Sequence, residues 1–146
     1  MFKVPNKSKI AESYTAIVDN RITIFENEAI VKSSNGDKEY LIKWKDNLYY
    51  SNDNSSYWQG ALGYPVIAVL MLQNKLSLNK DILKYFKNIN WNKLNKENKR
   101  DYDLSLEGII EMFSPSEKEK IYNEINKVYE EIKLLNIELT RKKNLD

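Results

Sequence analysis

Residues 29–50 read AIVKSSNGDKEYLIKWKDNLYY, and the reading of this stretch decides the fold class. Ala29–Ser33 and Lys38–Lys45 flank Asn35-Gly36, a pair that tolerates the positive φ of a type I′ hairpin turn. Along the second arm Tyr40, Ile42 and Trp44 share one face, the two-residue period of a half-buried strand. Asp46-Asn47 then turns the chain into Leu48-Tyr49-Tyr50. Toward the N-terminus, Ser13–Val18 and Arg21–Phe25 flank Asp19-Asn20 and read as a second tight hairpin. Residues 10–51 therefore predict a small antiparallel meander of about five strands.

Downstream the period changes. Residues 51–60, SNDNSSYWQG, are a polar loop, and Gly60 and Gly63 supply turn geometry expected to fold Trp58 over the entrance of the next helix. Pro65 suits a first helical turn, and Val66–Leu72 is apolar on every side, so a buried helix is expected over 65–74. Asn79 and Asn90 are candidate caps of short helices carrying Ile82, Leu83 and Phe86, and Trp91 and Leu94. Asp103 or Ser105 opens a helix with Leu106, Ile109, Ile110 and Phe113 as its core stripe. Ser114-Pro115-Ser116-Glu117 is a capping box, and it starts a helix expected to run over 115–142. Strands followed by helices define an α+β class, one domain over 1–146 with a meander at 10–51, a helical part at 65–113 and the long helix at the end.

The composition is that of a globular domain: 146 residues, 42% hydrophobic and 30% charged, with four Gly and three Pro. The chain has no Cys and no His, which excludes disulfides, thiol catalysis, an imidazole base and Cys- or His-ligated metal. MFKVPNKSK at the start lacks the apolar core of a secretory signal, and the longest apolar run, Val66–Leu72, is too short to span a bilayer. The expectation is a soluble cytoplasmic protein without membrane contact. Lys, Asn and Ile make up 53 of 146 residues, the signature of AT-rich coding, so lysine richness is discounted.

Three surfaces compete for function. The last helix carries Ile121, Ile125, Val128, Ile132, Leu135 and Leu139 at alternating spacings of four and three, a 3.5-residue period. This stripe packs on its own domain or forms a seam for a protein partner, a second copy included. The net charge of +2 is unevenly spread: residues 60–101 hold eight basic and three acidic side chains. There Lys84, Lys87, Lys93, Lys96, Lys99 and Arg100 lie among Tyr85, Phe86 and Trp91, the mixture of phosphate attraction and stacking surface that single-stranded nucleic acid requires. A solvated helix face has the same composition. Third, Asp103, Glu107 and Glu111, with Asp101 before them, stack carboxylates along one helical face; Mg²⁺ accepts such ligands, and helix starts favour them too.

The hairpin Lys38–Tyr50, a polar loop and the helix Gly63-Tyr64-Pro65-Val66-Ile67-Ala68-Val69-Leu70-Met71 resemble, in that order, the SWIM-type zinc module over residues 29–73. Where that family places its Cys and His ligands this chain has Tyr49, Ser51, Gly63 and Pro65, so the resemblance implies a metal-free ββα core with a role in nucleic-acid or protein interaction. The expected function is a non-enzymatic interaction module acting through the C-terminal stripe. The alternatives are weak RNA or single-strand binding by residues 75–100, and a carboxylate-metal enzyme. No cofactor and no metal site are expected.

Overall fold

A computed structural model describes residues 2–146 and has the α+β architecture. Strands β1 (Ile22–Ile24), β2 (Glu28–Lys32), β3 (Glu39–Lys45) and β4 (Leu48–Ser51) form an antiparallel meander, in register Ile22↔Val31, Ala29↔Ile42 and Trp44↔Tyr49. A fifth strand, β5 (Glu138–Thr140), completes the order β1-β2-β3-β4-β5 by pairing parallel to β4. The helices are α1 (Ser8–Val18), α2 (Tyr64–Leu72), α3 (Trp91–Glu97), α4 (Tyr102–Ile110) and α5 (Pro115–Lys133), with a π-helical turn at Ser55–Gln59 and a 3₁₀ segment at Lys80–Phe86. No helix among the described residues is long and apolar enough to cross a membrane.

The meander starts later than the sequence implies, because Ser13–Val18 belongs to α1 and not to a strand. Asn6 Oδ1 accepts from the Ser8 amide (2.9 Å) and turns the chain into the helix. Asn20, in the left-handed conformation, ends the turn after it. Residues 10–16 of α1 are all buried, and the β-branched Thr15, Ile17 and Val18 at its end give that end the composition of a strand. The Asn35-Gly36 turn is also longer than a type I′ pair. Only Gly36 takes positive φ, Ser33 and Lys38 close the loop, and Asn35 Oδ1 accepts from Ser33 Oγ and the Asp37 amide.

One hydrophobic cluster runs from Ile10 to Ile137 and joins α1, α2, the sheet and α5. Helix α2 is buried from Pro65 to Met71, as its apolar circumference requires. The caps fall largely where the sequence places them. Asn79 accepts from the Asp81 amide, Asn90 from Lys93 and Ser114 from Glu117, whose carboxylate returns to the Ser114 amide. The cap of α4 is Asp101, ahead of the expected Asp103 or Ser105.

Helix α5 stops at Lys133, not at 142. The Leu134 and Leu135 amides bond to the carbonyls of Glu131 and Ile132, a tightened last turn, and the chain then leaves as β5 to cover the backbone edge of β4. Ile121, Ile125, Val128 and Ile132 are buried in the common core, Leu135 packs at its margin, and Leu139 lies in β5 opposite Tyr49. The stripe is core of this chain and not an open intermolecular seam, because α5 has its apolar face filled by its own domain. Replacing Val128 and Ile132 together with Glu is expected to abolish folding, since two buried carboxylates without partners cost several kcal/mol of a total of about 5–15. Circular dichroism of the double variant checks this; a folded monomer would show the stripe to be exposed.

Candidate functional site

A polar cleft of about 570 Å³ lies between α1, the β2–β3 turn, the π-helical turn, the start of α2 and α3. Its geometry follows from how α3 is anchored. Trp91, the first residue of α3, is fully buried and donates Nε1–H to Thr15 Oγ1 (2.8 Å), and Thr15 donates to the Phe86 carbonyl (2.6 Å). This relay fixes α3 against the middle of α1. It sets Asn95, one turn further along α3, beside Glu12, one turn back along α1.

Glu12 and Asn95 form the floor, 4% and 8% exposed. Asn95 Nδ2 points at Glu12 Oε1 (3.5 Å), which turns its Oδ1 away from the carboxylate. Asn95 Oδ1 and Glu12 Oε2 are both buried and accept no hydrogen bond among the described residues. Glu12 is not without a counter-ion: Lys9 Nζ lies 3.2 Å from Oε2 and 4.2 Å from the centre of the Tyr102 ring. Burial raises the Glu12 carboxyl above the ordinary carboxylate value, and the Lys9 charge pulls it part of the way back. Tyr40 and Tyr64, packed edge to face at 6.1 Å, line the adjoining wall. Burial raises both phenols, with the charges of Asp53 and Glu12 adding to the effect at Tyr40, so both remain hydroxyl donors.

A second buried carboxylate, Asp53, lies where β4 gives way to the π-helical turn. It accepts from Ser51 Oγ and from the Ser56 amide (3.1 Å), while Ser56 Oγ accepts from the Gly63 amide (3.0 Å). Gly63 is dictated by this packing: a Cβ there would collide with the Asp53 carboxylate. The rim carries Lys38 and the exposed Asp37 from the β2–β3 turn, Lys96 from α3 and Arg100 from the turn after it, three cations to one carboxylate. Lys99 and Arg100 both adopt left-handed backbone, which non-glycine residues adopt at a cost. The Arg100 amide bonds to the Asn95 carbonyl (2.6 Å), and this closure holds Arg100 at the cleft.

Of the basic residues singled out from sequence, the fold brings Lys96 and Arg100 to the cleft. Lys84 lies over the neighbouring Tyr85 ring, and Lys84, Lys87, Lys93 and Lys99 are exposed outside the cleft lining. In the acidic stripe, Asp101 caps α4, Glu111 pairs with Lys118 (3.3 Å), and Asp103 and Glu107 are exposed. Among the described residues no group of three or more Asp or Glu is placed to hold a metal ion. Trp58 does not cover the entrance of α2. It is 64% exposed, packed edge to face on Tyr57 and beneath the Arg141 guanidinium, which donates to the Tyr57 and Trp58 carbonyls. The hairpin, loop and helix order quoted for the SWIM-type module is present as β3, β4 and α2. Of the residues at its ligand positions, Tyr49 donates to Gln73 (2.6 Å) and Ser51 to Asp53.

The chain thus has an α+β fold with a polar cleft that carries cations on its rim. Residues 2–138 match the model of the family described as "Uncharacterised conserved protein UCP014422", and the chain belongs to that family. No curated protein and no solved structure matches the chain.

Two outcomes test this geometry. Gly63→Ala should cost about 1–3 kcal/mol, because the added methyl must displace a carboxylate pinned by two hydrogen bonds, and the loss should show as a lower denaturation midpoint. For Glu12 the sign follows from its raised folded-state value. The folded chain keeps a proton that the unfolded chain has released, so stability falls as pH rises from the ordinary carboxylate value through the folded one. Glu12→Gln carries no such charge. The melting temperature of the variant minus that of the natural chain should therefore rise as the pH climbs above the ordinary carboxylate value; a flat or falling difference would show that Glu12 is well solvated.

Proposed function

We propose that this protein is a non-enzymatic binding module for single-stranded nucleic acid, with one nucleotide seated in the cleft and its phosphate against Lys38, Lys96 and Arg100. The observation that carries this reading is the convergence of these three cations, from the β2–β3 turn and the end of α3, on one recess. Among the described residues none of the three has an ion-pair partner. The floor carboxylate has its own counter-ion in Lys9, so the rim charges are left for a ligand. Tyr40, Tyr64 and Tyr102 supply aromatic surface on the walls, of the kind on which bases stack. A recess of about 570 Å³ lies within the size range of small-ligand sites. The strained backbone at Lys99 and Arg100 supports the same reading, since such conformations persist where the position of a side chain matters.

Lys96 and Arg100 are exposed, so reversing both charges should leave the fold intact. The variant Lys96→Glu/Arg100→Glu is expected to bind a labelled oligouridylate at least about tenfold more weakly at ~50 mM salt. Its log–log salt dependence should be shallower by about two. Fluorescence anisotropy across a salt series makes the measurement. Equal affinity of the natural chain and the variant, or no binding by either, would overturn the reading.

A further inference from the structure

We infer that the cleft floor receives the free 3′ end of an RNA strand, Glu12 and Asn95 accepting hydrogen bonds from the two hydroxyls of its terminal ribose. This deepens the proposed function and rests on it. The starting point is a pair of buried acceptors of which one, Asn95 Oδ1, has no partner among the described residues and the other, Glu12 Oε2, has only the Lys9 ammonium beside it. Glu12 and Asn95 line the cleft, and among the described residues neither Glu12 Oε2 nor Asn95 Oδ1 receives a well-formed hydrogen bond. A buried acceptor left unmet costs free energy that natural folds avoid, so such groups mark places where something else supplies the donor. The Asn95 amide cannot relieve the cost by turning over, because its oxygen would then face the Glu12 carboxylate that its nitrogen now approaches.

The chemistry of the missing partner is constrained on both sides. Lys9 already stands 3.2 Å from the same carboxylate oxygen, so a second ammonium group would meet a like charge. The occupant therefore presents neutral O–H or N–H donors. It must offer two of them close together, one for each acceptor, and it must carry a phosphate within reach of Lys96 and Arg100 on the rim. An internal nucleotide of RNA presents only its 2′-hydroxyl, and a DNA terminus only its 3′-hydroxyl. The terminal ribose of RNA presents both as a vicinal diol, and carboxylates accept hydrogen bonds from ribose hydroxyls in this way. The exocyclic amino group and ring N–H of a base are the other source of paired neutral donors.

Anisotropy titrations of the natural chain with four labelled strands of one sequence separate these sources. The strands end in ribose, 2′-deoxyribose, 2′,3′-dideoxyribose, and ribose with its terminal base changed from uracil to guanine. The ribose end is expected to bind about tenfold tighter than the dideoxy end, with the deoxy end between them, and the base change is expected to have little effect. Glu12→Gln and Asn95→Ala, checked for folding by circular dichroism, should bring the ribose and dideoxy strands to the same affinity. Equal affinity of all four strands, with salt dependence through Lys96 and Arg100 retained, would overturn the inference and leave the proposed function standing. A preference that follows the base and ignores the sugar would overturn it in favour of base recognition. Absence of binding by every strand would remove both the inference and the reading beneath it.

Discussion

A carboxylate in the middle of a helix packed on all sides is the constraint around which this molecule is organised. Helix α1 contributes Ile10, Ala11, Tyr14 and Ala16 to the core, and Glu12 lies among them with its side chain only 5% exposed. Burying an ionised carboxyl is costly unless charge and hydrogen bonds compensate, and here compensation is partial: one lysine at its side and one amide at its other oxygen. An apolar residue at position 12 would serve the core better. The carboxylate lies instead at the bottom of a recess.

The packing that creates the recess is rigid where it needs to be. The Trp91–Thr15–Phe86 relay locks α3 and the end of the 3₁₀ segment to α1, and the Asp53–Ser56–Gly63 network locks the π-helical turn to the start of α2. Between these two joints the cleft walls are determined by buried hydrogen bonds. The rim side chains Lys38, Lys96 and Arg100, by contrast, are exposed. In the function proposed above, the exposed charges would attract a strand without regard to sequence or sugar, and the buried floor would discriminate.

Much of this was legible in the amino-acid sequence, and the failures have identifiable causes. The capping residues Asn79, Asn90 and Ser114 and the apolar run of α2 act through neighbours in the chain, so local reading locates them. The end of helix α1 escaped because Thr15, Ile17 and Val18 are β-branched residues that suit strands and the Asp19-Asn20 pair after them suits a hairpin turn. The end of α5 escaped because Leu135 and Leu139 continue the helical spacing of the stripe, although β5 is selected by the open edge of β4, some ninety residues earlier. Lys96 and Arg100 stood out through the local charge imbalance. Glu12 and Asn95 did not, because their meaning lies in a contact across 83 residues that only the folded chain makes.

The central claim, that the Glu12–Asn95 floor with its cationic rim is a binding site, is tested most directly by nuclear magnetic resonance of the isotopically labelled natural chain titrated with a short oligouridylate ending in ribose. The account predicts that the side-chain amide signal of Asn95 and the carboxyl signal of Glu12 shift together with the backbone signals of Lys96 and Arg100, along one saturating curve. Shifts confined to the exposed lysines outside the cleft, with Glu12 and Asn95 unmoved at saturation, would contradict it.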